Sequence, residues 1–174
     1  MRKLSLKTPW LWLAVLLLLL LAAYTYMGGF KPLKVERVAV NDYHLMGRSF
    51  AGSYRSDTIR MYFEEMRSLL DEAGRSDPIV IIYDQEPQGN KGIIKNFIGV
   101  FATDKVYNAT NLQIRQVIAD SAIRVSKQCH PSLMPNPNKI DRLINDQGGT
   151  NSEIPNIELY YPNNRLVIER PIKN

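Results

Sequence analysis

The spacing of hydrophobic positions along the chain changes several times, and each change predicts an element. Between Lys7 and Lys31 no charge occurs for about 23 residues, Thr8 to Phe30, enough at ~1.5 Å per residue to span roughly the ~30 Å of a hydrocarbon core. After Gly28-Gly29 and Pro32, a short exit, Val35, Val38 and Val40 begin a first strand. A second runs from about His44 to Phe50 and closes on a turn at Gly52-Ser53-Tyr54. From Ser56, a residue suited to capping, Ile59, Tyr62, Phe63, Met66, Leu69, Leu70 and Ala73 recur at three- and four-residue steps, with Gly74 at the stop. This is an amphipathic helix. Glu64, Glu65, Asp71 and Glu72 fall on or near its far side and read as a solvated surface.

The run Pro78-Ile79-Val80-Ile81-Ile82-Tyr83 is short, β-branched and bounded by turn residues, so it predicts a strand deep in a sheet. Gly89-Asn90-Lys91-Gly92 lacks the spacing and the Ser/Thr of a phosphate loop and reads as a hairpin turn into a strand from Ile93 to Thr103. A linker around 102–110 leads to strands at Leu112–Ile118 and Ala122–Ser126. Asn136-Pro137 then opens a shorter helix carrying Ile140, Leu143 and Ile144, ended by Gly148-Gly149. Strands at 155–161 and 165–172 close the chain.

The order strand, strand, helix, strand, strand thus occurs twice, with halves at about 35–104 and 111–173. It predicts an α+β domain over 31–174: an antiparallel sheet with both helices on one face, preceded by a single transmembrane helix within 1–30.

Trp10 and Trp12 at one end of the apolar run and Tyr24 and Tyr26 at the other fit the two membrane interfaces, as in a retained signal anchor. A cleaved signal peptide is the competing reading, with Leu21-Ala22-Ala23 as its small-residue site. Arg2, Lys3 and Lys7 against Lys31, Lys34 and Arg37 tip the orientation slightly towards a cytoplasmic N-terminus, with the domain outside. Those first three cations also supply three of the net charge of +5, and the +2 left for residues 8–174 gives no nucleic-acid argument. The sequon Asn108-Ala109-Thr110 matters only for a eukaryotic lumenal domain.

The double unit and the residues at its joints resemble the GyrI-like (DNA gyrase inhibitory protein-like) small-molecule-binding family. The resemblance rests on Gly52-Ser53-Tyr54, Ile81-Ile82-Tyr83-Asp84-Gln85-Glu86-Pro87, Ile157-Glu158-Leu159-Tyr160 and Pro171-Ile172-Lys173, over roughly 35–173. The second half departs from the pattern, with Cys129-His130-Pro131-Ser132-Leu133 where a glycine-containing turn would repeat.

The resemblance implies a ligand cleft with aromatic rings and a buried acid as counter-charge. If Pro78 and Pro155 are equivalent, Ile81 matches Glu158 and Tyr83 matches Tyr160, and all four share one sheet face. The reading puts that face away from the helices, with Ile157, Leu159 and Tyr161 facing them. Glu158 is the leading candidate acid, flanked by Tyr83 and Tyr160; its alternative is a solvated strand residue. Glu169 is the second acid. The family's glutamate in the last strand would fall where this chain has Val167. Tyr54 is a candidate for the cleft rim or, alternatively, a packing residue.

His44 and His130 do not stand at metal-ligand spacing, Cys129 excludes an intrachain disulfide, and no serine lies in a nucleophile elbow, so neither metal nor cofactor is expected. Three functions follow: a membrane-anchored, non-catalytic module binding a small amphipathic or cationic molecule; a protein-interaction module with a vestigial cleft; or a weak hydrolase using Glu158 or Glu169 as general base.

Overall fold

The computed structural model describes residues 9–85, 92–103, 111–148, 156–163 and 165–172. The predicted turn at Gly89–Gly92 falls largely outside them, as do most of the 102–110 linker, the sequon, Pro155 and the cations before Thr8.

The first helix, α1 (Pro9–Tyr26), has 18 residues, about 27 Å long at 1.5 Å per residue. The apolar run predicts a longer one, but Met27–Phe30 form turns, and Gly28 takes a left-handed φ of 78° that ends the helix. Among the described residues no helix is long and apolar enough to cross a membrane. Leu16 to Leu21 are all exposed nonetheless.

Eight strands follow in the predicted order: β1 (Lys34–Ala39), β2 (Tyr43–Ser53), β3 (Ile79–Gln85), β4 (Ile93–Phe101), β5 (Gln113–Val117), β6 (Ser121–Lys127), β7 (Ile157–Tyr160) and β8 (Leu166–Ile172). The helix α2 (Asp57–Glu72) lies between β2 and β3, with the Ser56 hydroxyl accepting from the Thr58 amide. The shorter α3 (Pro137–Asp146) lies between β6 and β7, where Asn136 accepts from the Lys139 amide. Both caps satisfy amides that a helix start leaves unpaired.

All eight strands form one antiparallel sheet in the order β1-β6-β8-β7-β3-β4-β2-β5. Exchanging each strand for its counterpart in the other half and reading backwards returns the same order. The duplicated halves are therefore related by a two-fold axis between β3 and β7, and each half lends its first strand to the edge of the other. On that axis Ile81 pairs with Glu158.

Both helices cover one face, as predicted. Met66 and Leu70 of α2 pack on Ile79, Ile81 and Ile98, while Ile140 and Ile144 of α3 pack on Ile123, Val125 and Ile168; Tyr160 touches both clusters. The opposite face is buried as well, although no residue of α2 or α3 reaches its cluster of Leu45, Val80, Ile82, Phe97, Ile157, Leu159 and Val167. The sheet covers that face by curling on itself. Tyr43 of β2 and Glu169 of β8 stand four strands apart, roughly 19 Å on a flat sheet at ~4.8 Å per strand. Yet the Tyr43 hydroxyl donates to Glu169 at 2.5 Å. Arg115 of β5 likewise reaches back to Asp84 of β3.

Candidate functional site

Strand alternation puts Ile81, Tyr83, Glu158 and Tyr160 on one face, as the sequence predicts, but that face lies beneath the helices. Ile81, Tyr83 and Tyr160 belong to the α2 cluster, and Ile157 and Leu159 point into the curled face. Parity within the strands identifies the residues that share a side. The apolar character of β7 alone predicts that its more apolar set faces the helices, whereas here the curled sheet buries that set.

Glu158 stands mid-strand and half-buried. The Tyr160 hydroxyl donates to Glu158 Oε2 at 2.7 Å and the Tyr83 hydroxyl donates to the same oxygen at 3.3 Å. The Tyr160 ring packs edge-on against Phe63 of α2, with centroids 5.5 Å apart. Burial, followed by the neighbouring Glu158 carboxylate and Tyr83, raises the pKa of the Tyr160 hydroxyl well above its ordinary value. It therefore stays a proton donor to the carboxylate.

A cavity of about 410 Å³ opens beside this cluster, with Tyr83 and Glu158 on the sheet side and Asn136, Asn138, Ile140 and Asp141 on the α3 side. Asn156 and Ile168 complete its floor. Among the described residues, two carboxylates and several amides line it, with no lysine or arginine. The Arg170 guanidinium holds Asp141 at 2.5 Å and Asn145 at 3.0 Å, fixing α3 to β8. Asn96, 2% exposed on the strand beside Tyr83, has a side-chain oxygen without a hydrogen-bond partner among the described residues.

The other candidates lie elsewhere. Glu169 is 1% exposed on the curled face, where it accepts from Tyr43 and, at 2.6 Å, from Arg124. Burial, then the Glu169 charge, raises the Tyr43 hydroxyl as well. Tyr54 is held by its neighbour: Arg55 donates to its hydroxyl at 2.8 Å and lies 5.3 Å over its ring. Tyr54 does not line the cavity.

The sequence reading missed the α3 side of the cavity. Asn136 was legible there as a cap, and its position before Pro137 was the available signal. It also missed Tyr43, whose pairing with Glu169 depends on the sheet's curvature, and Arg124, which stands directly opposite Glu169 on the neighbouring strand β6. Among the described residues no group of three or more His, Cys, Asp or Glu is placed to hold a metal ion.

No protein-family model matches the chain, and no curated protein matches it. Solved structures do. SAV2435 bound to tetraphenylphosphonium aligns with a TM-score of 0.53 at 14% identity, over 81% of this chain and 94% of that one. The EcmrR C-terminal domain aligns at 0.52 with 14% identity, over 83% and 98%. An integron cassette protein from the mobile metagenome of Vibrio cholerae aligns at 0.52 with 10% identity, over 80% and 95%. The chain shares the GyrI-like fold of these neighbours.

Proposed function

We propose that this chain is a membrane-tethered module that binds a small cationic or amphipathic molecule in the cavity between β7 and α3. The observation that carries the reading is the convergence of the Tyr83 and Tyr160 hydroxyls on one oxygen of Glu158, at the wall of a cavity whose described lining holds no lysine or arginine. Two donors hold the carboxylate in place and leave aromatic faces nearby, the arrangement that attracts an organic cation. SAV2435, of the same fold, is described bound to tetraphenylphosphonium, which supports a cationic ligand. A protein-interaction module with a vestigial cleft would be favoured by a filled site; the open cavity favours the first reading.

The tether is supported by the exposed leucines of α1 and by the uncharged run, which continues beyond the helix at both ends. In this reading the N-terminus is cytoplasmic and the domain lies outside, and an alkaline-phosphatase fusion after Asn174 is active. Ligand binding is tested by calorimetric titration of the full chain in detergent with tetraphenylphosphonium. Saturable binding that weakens roughly tenfold or more in Glu158→Gln is expected, since losing a charged partner costs about 1.5–3 kcal/mol. Equal affinity in the variant would remove Glu158 from the site.

A further inference from the structure

A second cavity lies where α1 joins the domain, and its chemistry is the opposite of the first. It encloses about 410 Å³, with Lys31, Lys34 and Arg165 as its charged residues and Ser126, Gln128 and Asn163 as neutral hydrogen-bonding groups. Among the described residues no carboxylate lines it. None of the three cations forms an ion pair among the described residues. Three positive charges facing one concavity repel each other, so the site gains by taking up an anion.

The cavity is also fixed to the end of α1. An adjoining cavity of about 330 Å³ shares Lys31, Gln128 and Asn163 with it and reaches Thr25 and Tyr26 in the last turn of the helix. The His130 amide donates to the Met27 carbonyl at 2.9 Å, and the Lys127 ammonium to the Gly29 carbonyl at 3.2 Å. At Gly28 a side chain would meet the Gln128 carbonyl at 2.4 Å, so the chain passes tightly against the bend that follows β6. The basic groove is thus held within a few residues of the point where the apolar helix ends.

We propose that this groove binds the phosphate of an anionic phospholipid headgroup in the leaflet that α1 leaves. The inference rests on the reading of α1 as a membrane tether. Phosphate is the chemistry that three cations and three neutral polar groups recognise together. The lipid is the source favoured by the adjoining helix end, with the Tyr24 and Tyr26 rings at interfacial depth. Bound there, the headgroup would set the height of the domain above the membrane.

The test uses the full chain in nanodiscs of phosphatidylcholine alone and of phosphatidylcholine with phosphatidylglycerol, with lipid retention after release read by native mass spectrometry. Preferential retention of phosphatidylglycerol is expected, falling roughly five-fold for each cation removed in Lys31→Gln, Lys34→Gln and Arg165→Gln. The double variant Lys31→Arg/Lys34→Arg keeps the charge and should keep the preference, separating recognition from misfolding. Equal retention of both lipids, or an unchanged preference in the triple glutamine variant, overturns the proposal. So does displacement of the lipid by millimolar inorganic phosphate, which would make the groove a site for free anions. Alkaline extraction from pure phosphatidylcholine vesicles tests the tether separately: release of the chain defeats that reading, whereas retention without lipid preference defeats only the groove.

Discussion

Ile81 and Glu158 face each other across β3 and β7, and they are equivalent positions of the two halves. The two-fold axis of the domain passes between them. One half therefore contributes a buried aliphatic side chain and the other a carboxylate at the same point, and the domain is asymmetric where its symmetry axis meets the cavity wall. Restoring symmetry in either direction should have unequal consequences. Ile81→Glu puts a second acid beneath α2, opposite the first, and should cost about 3 kcal/mol or more through burial and cross-strand repulsion. Glu158→Ile should cost about 1–2 kcal/mol, because the Tyr83 and Tyr160 hydroxyls lose an acceptor. Urea unfolding of both variants in detergent gives the comparison.

The Tyr43–Glu169–Arg124 network ties β2 to β8 across the curled face and should behave as a fastener of the sheet. Glu169→Ala leaves a buried hydroxyl and a guanidinium without their acceptor and should destabilise the domain by roughly 3–5 kcal/mol. Tyr43→Phe, which leaves the ion pair intact, should cost about 1 kcal/mol. Denaturant midpoints of the two variants should keep that order.

Stability should also fall at alkaline pH. Tyr43 and Tyr160 both have hydroxyls raised above the ordinary value near 10. The unfolded chain therefore loses these protons first as the pH rises. Their contribution is fully present below pH ~10 and declines above it, towards the raised folded values. The melting temperature should drop between about pH 10 and 11 more steeply for the wild type than for Tyr43→Phe/Tyr160→Phe.

The ion pair between Asp84 and Arg115 makes the converse prediction at low pH. Hydrogen bonding from Arg115 holds the Asp84 carboxyl below its ordinary value. Its stabilisation is present above pH ~4 and is lost as the pH falls through the depressed value. Both partners are partly exposed, so the pair should contribute under about 1 kcal/mol. Arg115→Gln should flatten the stability profile below pH 4 while leaving the neutral midpoint nearly unchanged.

Gly28 offers a local test of the junction. Its φ of 78° and the mere 2.4 Å that would separate an added β-carbon from the Gln128 carbonyl both penalise Gly28→Ala. The His130 amide, which donates to Met27, should exchange with deuterium roughly ten-fold or more faster in that variant, while the amides of β3 keep their protection.

Much of this domain was determined by the sequence itself. Period-two and helical spacing place the eight strands and α2 and α3, Ser56 and Asn136 mark both helix starts, and the repeated strand-Tyr pattern at Tyr83 and Tyr160 reveals the duplication. These signals are local, because a cap, a glycine stop or an alternation acts within a few residues. The grouping of Tyr83, Glu158 and Tyr160 was legible for the same reason, since parity within a strand fixes which side chains share a side. Tertiary structure decided which side that was. A sheet that curls until Tyr43 meets Glu169 buries its second face without a helix, so apolar residues on β7 no longer indicate where the helices lie. It also decided that the Asn136 cap and Asp141 of α3 would line one cavity with Glu158, and that Lys31, Lys34 and Arg165 would converge beside the end of α1. Those meetings join positions distant along the chain, and only strand order and curvature bring them together.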